Sequence, residues 1–416
     1  MKPDKPLWPR ATLLALSGIN LFNYLDRQVL PAVLTPLKAD LHLSDSQLGT
    51  VNVAFMLGYF LTSPFFGYLG DRLSRRWLIA AGVLVWSAGT MLTGWAETLV
   101  VLVAFRALVG LGEASYGTIS PGWIADLFPP VRRNFALSVF YVAIPVGSAL
   151  GYILGSVVEA HFGWRAAFLG AGAPGLLLAL GLLTLREPPR GACDSAAETA
   201  AAPPAAGGLA VYGQLRHSTA YVLTVLGYVA QTFALGAFAF WGPTFLQRVH
   251  GMTLEGAGTF FGGALVVTGL AATLLGGWVA TCWQRKHPAG YAWTLALSMA
   301  ASVPVAVAAF WVQDLTLTKL FLAAAMFLIF LPTGPVNTLI LETVPVTMRA
   351  SAMAASIFSI HLFGDLWSPK IVGIISDRCG SLQTAALWTL PGALVVCTFF
   401  WCWLVFHQTK ERRRTA

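Results

Sequence analysis

Long apolar runs separated by short polar loops make up most of the chain. Runs of roughly 20 residues, each long enough to cross about 30 Å of hydrocarbon as a helix, centre near Asn23, Leu57, Leu84, Val109, Ser148, Leu176, Leu235, Ala264, Ala300, Leu328, Phe358 and Val395. Backbone groups in lipid need partners inside their own segment or in a closed barrel. The apolar–polar alternation of barrel strands is absent, so the pattern predicts twelve transmembrane α-helices. The first run is long and carries Asp26 and Arg27 in its middle. That is unlike a cleaved signal, and this helix is expected to stay in the protein.

Between the sixth and seventh runs lies a Pro- and Ala-rich polar stretch, ACDSAAETAAAPPAAGG, which cannot bury enough surface to fold alone. It divides the chain into an N-terminal six-helix bundle (1–189), a cytoplasmic linker (190–215) and a C-terminal six-helix bundle (216–416). An internal repeat supports the division. GYLGDRLSRR at 67–76 aligns with GWVATCWQRK at 277–286, where Asp71 and Arg72 have become Thr281 and Cys282. Asp126, Pro129, Arg133 and Ala136 align with Glu342, Pro345, Arg349 and Ala352 at a similar offset. Duplicated halves mark transporters that rock one bundle against the other.

Composition sharpens the class. Charged residues make up 11% of the 416 and hydrophobic ones 56%, against about 25% charged in a soluble domain. The chain lacks the residues to coat a soluble surface. Of 26 Lys and Arg, 18 fall in segments on the side of the N-terminus and 5 in the opposite loops, which predicts cytoplasmic termini. The net charge of +8 follows from that topology, and because the cations are scattered over short loops no nucleic-acid partner is expected. Five cysteines with no CxxC or CxxH spacing support neither a disulfide framework nor a metal site. HExxH, GxSxG, phosphate-loop and dinucleotide patterns are all missing, so no cofactor and no enzymatic reaction is expected. Ion or substrate gradients remain as the energy source.

Four charges fall inside predicted spans: Asp26 and Arg27 in the first, Arg106 and Glu113 in the fourth. Each would cost several kcal/mol facing lipid, so they must face a cavity or one another. Arg106, Gly110 and Glu113 recur at i, i+4, i+7 and share one helix face. Burial raises a carboxylate's pKa and a nearby Arg lowers it, so a movable Arg–carboxylate contact is a proton switch, whereas a fixed one only joins helices. His361 and Asp365 stand at i, i+4 before a Ser368-Pro369 break. They are a hydrogen bond inside the bundle, a second titrating site or part of the outer gate. Asp71, Arg72, Arg75 and Arg76, with Asp126, Arg133, Glu342 and Arg349, read as a cytoplasmic gate, in which Asp71 accepts bonds at a helix N-terminus and the arginines bridge to the opposite half.

GYLGDRLSRR resembles the signature loop of the major facilitator superfamily. Arg106-xxx-Gly110-x-Gly112 is similar to its second motif, and Pro145-x-Gly147-xxx-Gly151-xxx-Gly155 to the glycine-rich motif of its antiporters. NYLDR (23–27), GLGEASYGTISP (110–121), RNFALSVFYVAIPVGSALGY (133–152) and HLFGD (361–365) resemble the Spinster family of lipid transporters, most densely over 20–175. The resemblance implies the major facilitator fold and a proton-coupled secondary transporter of amphiphilic lipids such as lysophospholipids or sphingoid phosphates. It gives Asp26 and Glu113 as proton carriers with Arg27 and Arg106 as their partners, the latter able to hold an anionic headgroup. Tyr116 and Tyr141 are expected to line the substrate path because they lie in those stretches. Export of drugs or organic anions on the same fold is the alternative, and a membrane-embedded lipid-modifying enzyme a more remote one. Short tails and compact loops point to a bacterial inner membrane, and a monomer is expected.

Overall fold

The structure, a computed structural model, describes residues 8–70, 72–189, 192–193, 214–287, 289–344 and 349–415. Among them the chain is helical throughout: α1 (Trp8–Ala32), α2 (Leu34–Asp40), α3 (Asp45–Gly70), α4 (Arg75–Thr93), α5 (Leu99–Leu127), α6 (Pro130–Leu182), α7 (Thr219–His250), α8 (Leu254–Lys286), α9 (Gly290–Trp311), α10 (Leu315–Phe330), α11 (Thr333–Glu342), α12 (Arg349–Ile360), a π-helical turn (His361–Asp365), α13 (Ser368–Cys379) and α14 (Leu382–Thr415).

Nine of the described helical segments are long and apolar enough to cross a membrane, and three features account for the rest of the predicted twelve. The segment Val139–Leu182 holds two spans, because Gly163 breaks α6 with φ 82° and ψ 163°, a backbone position that strains any residue with a Cβ. The first helix, α1, carries too much polarity to score as apolar: Asn20, Asn23, Asp26 and Arg27 lie along it. The eleventh span is cut into α12, the π turn and α13, since Pro369 opens a new helix after the interruption. A further break, at Leu331 and Pro332, separates α10 from α11 inside the tenth span. The copies of the internal repeat also differ in shape. In the first, helix ends at Gly70 and resumes at Arg75, whereas α8 runs unbroken through the aligned stretch to Lys286.

The chain forms two compact units. One holds α1 to α6 without Ser44–Gly49 and takes in Thr253–Gly262; the other holds α7 to α14 without that segment and takes in Ser44–Gly49. In the first unit glycines let helix backbones meet. A Cβ on Gly110 of α5 would overlap the Phe55 carbonyl of α3, and one on Gly58 would overlap the Ala107 carbonyl. Gly147 and Gly151 of α6 lie in the same way against the Leu21 and Leu25 carbonyls of α1. The glycine-rich fifth span is therefore a packing seam. Around these crossings the core is filled by Leu16, Ile19, Val83, Trp86, Tyr116, Trp123 and Phe140.

In the second unit, side-chain donors hold the broken helices. Gln231 Nε2 of α7 donates to the Ile329 carbonyl beside the α10–α11 break at 2.6 Å, and Trp241 Nε1 donates to the Pro369 carbonyl at 3.0 Å. Tyr221 and Trp401 bond the Ala352 and Thr224 carbonyls.

The α3–α5 crossing yields a stability prediction. Gly110→Ala places a methyl group on the Phe55 carbonyl and should destabilise the protein by about 1–3 kcal/mol. Gly122→Ala on the same helix, with nothing within 4 Å of its Cβ position, should change little. Thermal unfolding of the two variants in one detergent makes the comparison, and equal midpoints would contradict the close crossing.

Candidate functional site

The four intramembrane charges of the first unit come together between α1 and α5, paired crosswise. Arg27 Nε of α1 bonds Glu113 Oε2 of α5 at 2.6 Å. Arg106 Nη1 of α5 stands 3.9 Å from Asp26 Oδ1 of α1, an ion pair too long for a hydrogen bond. Asp26 Oδ2 accepts instead from the Thr90 hydroxyl of α4. Asp26, Arg106 and Glu113 are at most 1% exposed, while the side chain of Arg27 keeps 20% of its surface accessible. Arg106 Nε and Nη1 and Asp26 Oδ1 are buried without a hydrogen bond. Unused donors and an unused acceptor at such burial are costly, so the cluster has capacity for further polar partners.

Aromatic rings complete it. The Arg27 guanidinium lies over Tyr24 at 4.8 Å, Tyr59 at 5.0 Å and Phe55 at 5.3 Å from the ring centroids, and the Arg106 guanidinium lies over the same Phe55 ring at 5.2 Å. These lie within the roughly 6 Å reach of a cation–π contact. The ring reaches both cations because Gly58 and Gly110 bring α3 against α5.

Tyr116 departs from the expected lining position. It is 1% exposed, its hydroxyl donates to the Leu16 carbonyl, and its ring packs edge-on against Trp86 at 5.6 Å. That is a core position fastening α5 to α1. Tyr141 is 47% exposed and meets Phe140 edge-on at 5.1 Å. In the second unit His361 Nδ1 faces both carboxylate oxygens of Asp365 at 3.0 and 3.1 Å. The π turn that carries them packs on α7 at Gly236, whose missing side chain makes room for Asp365.

Of the expected gate residues, Asp71 lies outside the described residues, as do the side chains of Arg133 and Arg349. Arg75 Nη1 bonds Asp126 Oδ2 at 2.6 Å, both buried. Arg76 Nη1 donates to the Leu183 and Leu185 carbonyls at the end of α6, at 3.2 and 3.3 Å. These bonds lie inside the first unit. Arg72 is exposed and stacks on Tyr68, 3.6 Å from the ring centroid. Glu342 closes α11 and is exposed.

Sequence reasoning missed several participants. Glu187 accepts from Ser74 Oγ at 2.7 Å and from the Arg75 and Arg76 amides at 3.0 and 3.3 Å, so it caps α4, the task expected of Asp71. Partial burial raises its pKa, but the Ser74 hydroxyl and the two amides outweigh that and hold it below the usual glutamate value. A carboxylate in LREPPR just past a helix end was the only signal. Thr90 and Phe55 are ordinary residues in apolar spans and gave none. In the second unit Asp45 bonds Arg248 Nη1 and Ser376 Oγ, each at 2.7 Å. The Asp377 carboxylate accepts from the Asp45 and Ser46 amides at 2.9 and 2.8 Å.

Apolar spans, duplicated halves and a buried charge cluster without a catalytic constellation define a polytopic membrane transporter of the Major Facilitator Superfamily, whose family model matches residues 16–369. Protein spinster homolog 1 of Xenopus tropicalis is 33% identical over 93% of this chain and 77% of its own length. The sphingosine-1-phosphate transporter SPNS2 of Danio rerio is 32% identical over 92% of this chain and 80% of its own. Within the superfamily, the chain belongs to the Spinster family. Its fold is that of a bacterial homolog to the human lysosomal transporter Spinster, crystallised in an inward-facing and unoccupied conformation, with a TM-score of 0.84 at 24% identity over 99% of this chain and 98% of that one.

The α4 cap gives a pH-dependent prediction. Glu187→Gln weakens three charge-assisted bonds and should cost about 1–2 kcal/mol near pH 7. Because the folded carboxyl titrates below its ordinary value, its contribution is complete above about pH 4.3 and is lost as pH falls through the lowered value. Unfolding midpoints of the wild type and the variant should therefore differ at pH 7 and converge in acid; a constant gap across that range would refute the cap.

Proposed function

We propose that this protein is a proton-coupled transporter of anionic amphiphilic lipids, of the lysophospholipid or sphingoid-phosphate kind, working by alternating access. One observation carries the reading: two carboxylates and two guanidiniums sit together, all but Arg27 fully buried, with unused donors on Arg106. The cluster is electrically neutral when all four groups are charged. A proton arriving on Glu113 removes the partner of Arg27 and leaves an excess positive charge in a medium of low dielectric, where charge imbalance is expensive. A phosphate or carboxylate headgroup restores neutrality and meets the fork of an arginine. Proton and anion therefore favour each other's binding. Exchange, which the antiporter resemblance of the glycine motif implies, would require them to compete; the sign of proton flux accompanying lipid movement distinguishes the two. The named substrate of the SPNS2 relative, sphingosine 1-phosphate, has the chemistry this cluster accepts: one anionic headgroup and one long chain. The distribution of Lys and Arg supports cytoplasmic termini, and the compact loops support a bacterial inner membrane.

The test uses protein reconstituted in liposomes with an imposed pH gradient. Asp26→Asn and Glu113→Gln should each abolish gradient-driven uptake of lysophosphatidylglycerol while leaving the protein folded. Arg27→Ala or Arg106→Ala should weaken binding of that anionic lipid by about tenfold or more, the loss of a charge-assisted contact of about 1.5–3 kcal/mol. Binding of a neutral monoacylglycerol of equal chain length should change little. Full gradient-driven uptake by both carboxylate variants would overturn the proton assignment, and equal losses for both lipids would overturn the headgroup assignment.

A further inference from the structure

We propose that Phe55 is a positioning residue that couples the two ion pairs, its ring holding Arg27 and Arg106 at once. This rests on the proton-coupled reading above and adds to it the means by which one pair senses the other. The ring centroid lies 5.3 Å from the Arg27 guanidinium and 5.2 Å from that of Arg106, and Phe55 is 4% exposed. No other ring among the described residues lies over both cations. The backbone carbonyl of Phe55 is pressed against Gly110, one turn from Arg106 on α5, so the ring's distance from the cluster is set by backbone packing.

Two like charges in a dry site repel, and the opposed carboxylates do not fully answer that repulsion, since the Arg106–Asp26 contact is 3.9 Å. The negative face of an aromatic ring attracts both cations without itself titrating. When Glu113 takes a proton, Arg27 loses its 2.6 Å bond but keeps Tyr24, Tyr59 and Phe55. It therefore stays in place with its donors free. Any shift of Arg27 off the shared ring alters the field at Arg106, and through it at Asp26. The charged and titratable groups around Phe55 come from every helix packed there: Tyr24, Asp26 and Arg27 from α1, Tyr59 from α3, Arg106 and Glu113 from α5, and Tyr141 from α6. The two carboxylates then titrate as one coupled system.

The experiment measures binding of lysophosphatidylglycerol to purified full-length protein across pH, with a neutral monoacylglycerol as the comparison probe. Phe55→Leu should weaken binding of the anionic probe about threefold to thirtyfold, as expected for losing cation–π contacts, and should flatten its pH profile. Phe55→Tyr should restore both affinity and steepness. Replacing Phe55 with pentafluorophenylalanine keeps the ring's shape and removes its negative face, so it should behave like Phe55→Leu even if the leucine variant folds poorly. Binding of the neutral probe should be unchanged in all of them. A fluorinated variant with wild-type affinity and pH steepness, or equal losses for both probes, would overturn the coupling role. Failure of the proton-coupled reading is separately visible, because there Asp26→Asn and Glu113→Gln would retain gradient-driven uptake.

Discussion

The structure of the first unit turns on the cost of placing ions where water is scarce. Four charges inside two membrane-spanning helices can be kept only if they balance and meet. α1 supplies one of each sign at adjacent positions, which point about 100° apart around the helix. α5 supplies one of each sign seven residues apart, about two turns or 10 Å along the axis. Asp26 and Arg27 therefore cannot both face a single partner on α5; the solution is a crossed pair, Arg27 with Glu113 and Asp26 with Arg106. Reaching it requires backbones closer than ordinary side chains permit. Glycines at 58 and 110 supply that approach between α3 and α5, and glycines at 147 and 151 press α6 onto α1.

The two pairs are unequal, and the inequality has functional content. Arg27 is short-bonded, surrounded by three rings and partly accessible; Arg106 is dry and loosely paired, and Asp26 leans on Thr90. A cluster built only for stability would close both contacts, since burying a charge without its full set of bonds is unfavourable. The one that is accessible is also the one held by three aromatic rings. An arginine held in this way can lose its carboxylate partner without leaving the site, which a pair joined by Coulomb attraction alone cannot do.

What the sequence made legible follows from the reach of its signals. Apolar runs are long and strong, so the spans were visible, including those on either side of Gly163 and the interrupted eleventh. Charges inside such runs are rare, so Asp26, Arg27, Arg106 and Glu113 stood out without any structure. The crossing of the pairs did not, because helical periodicity gives the face a residue occupies but not which face of another helix it meets. Tyr116 was misplaced for that reason: it shares a motif with Glu113 but turns into the core toward Leu16. Phe55 and Thr90 were invisible because an aromatic or a threonine in an apolar span is usually packing. At the end of α4 the sequence offered Asp71 as the acceptor, and Glu187, more than a hundred residues away, fills that role.

The duplicated halves have taken different tasks. The N-terminal copy keeps its charges within intact helices and its signature loop as a break between α3 and α4. In the C-terminal copy the aligned loop, with Thr281 and Cys282 in place of Asp71 and Arg72, has become continuous helix to Lys286, and the breaks lie inside the spans, at Leu331–Pro332 and at the π turn. Each choice carries its own requirement. Buried charges demand rigid, glycine-close crossings, because a small displacement leaves an ion without its partner. Broken spans demand donors from neighbouring helices, and Gln231 and Trp241 on α7 provide them. His361 and Asp365 lie in the broken copy, 40% and 23% accessible at the side chain, where the backbone is already off the α-helical ladder. A scaffold that concentrates buried charge in one half and interrupted spans in the other can adjust either without disturbing both.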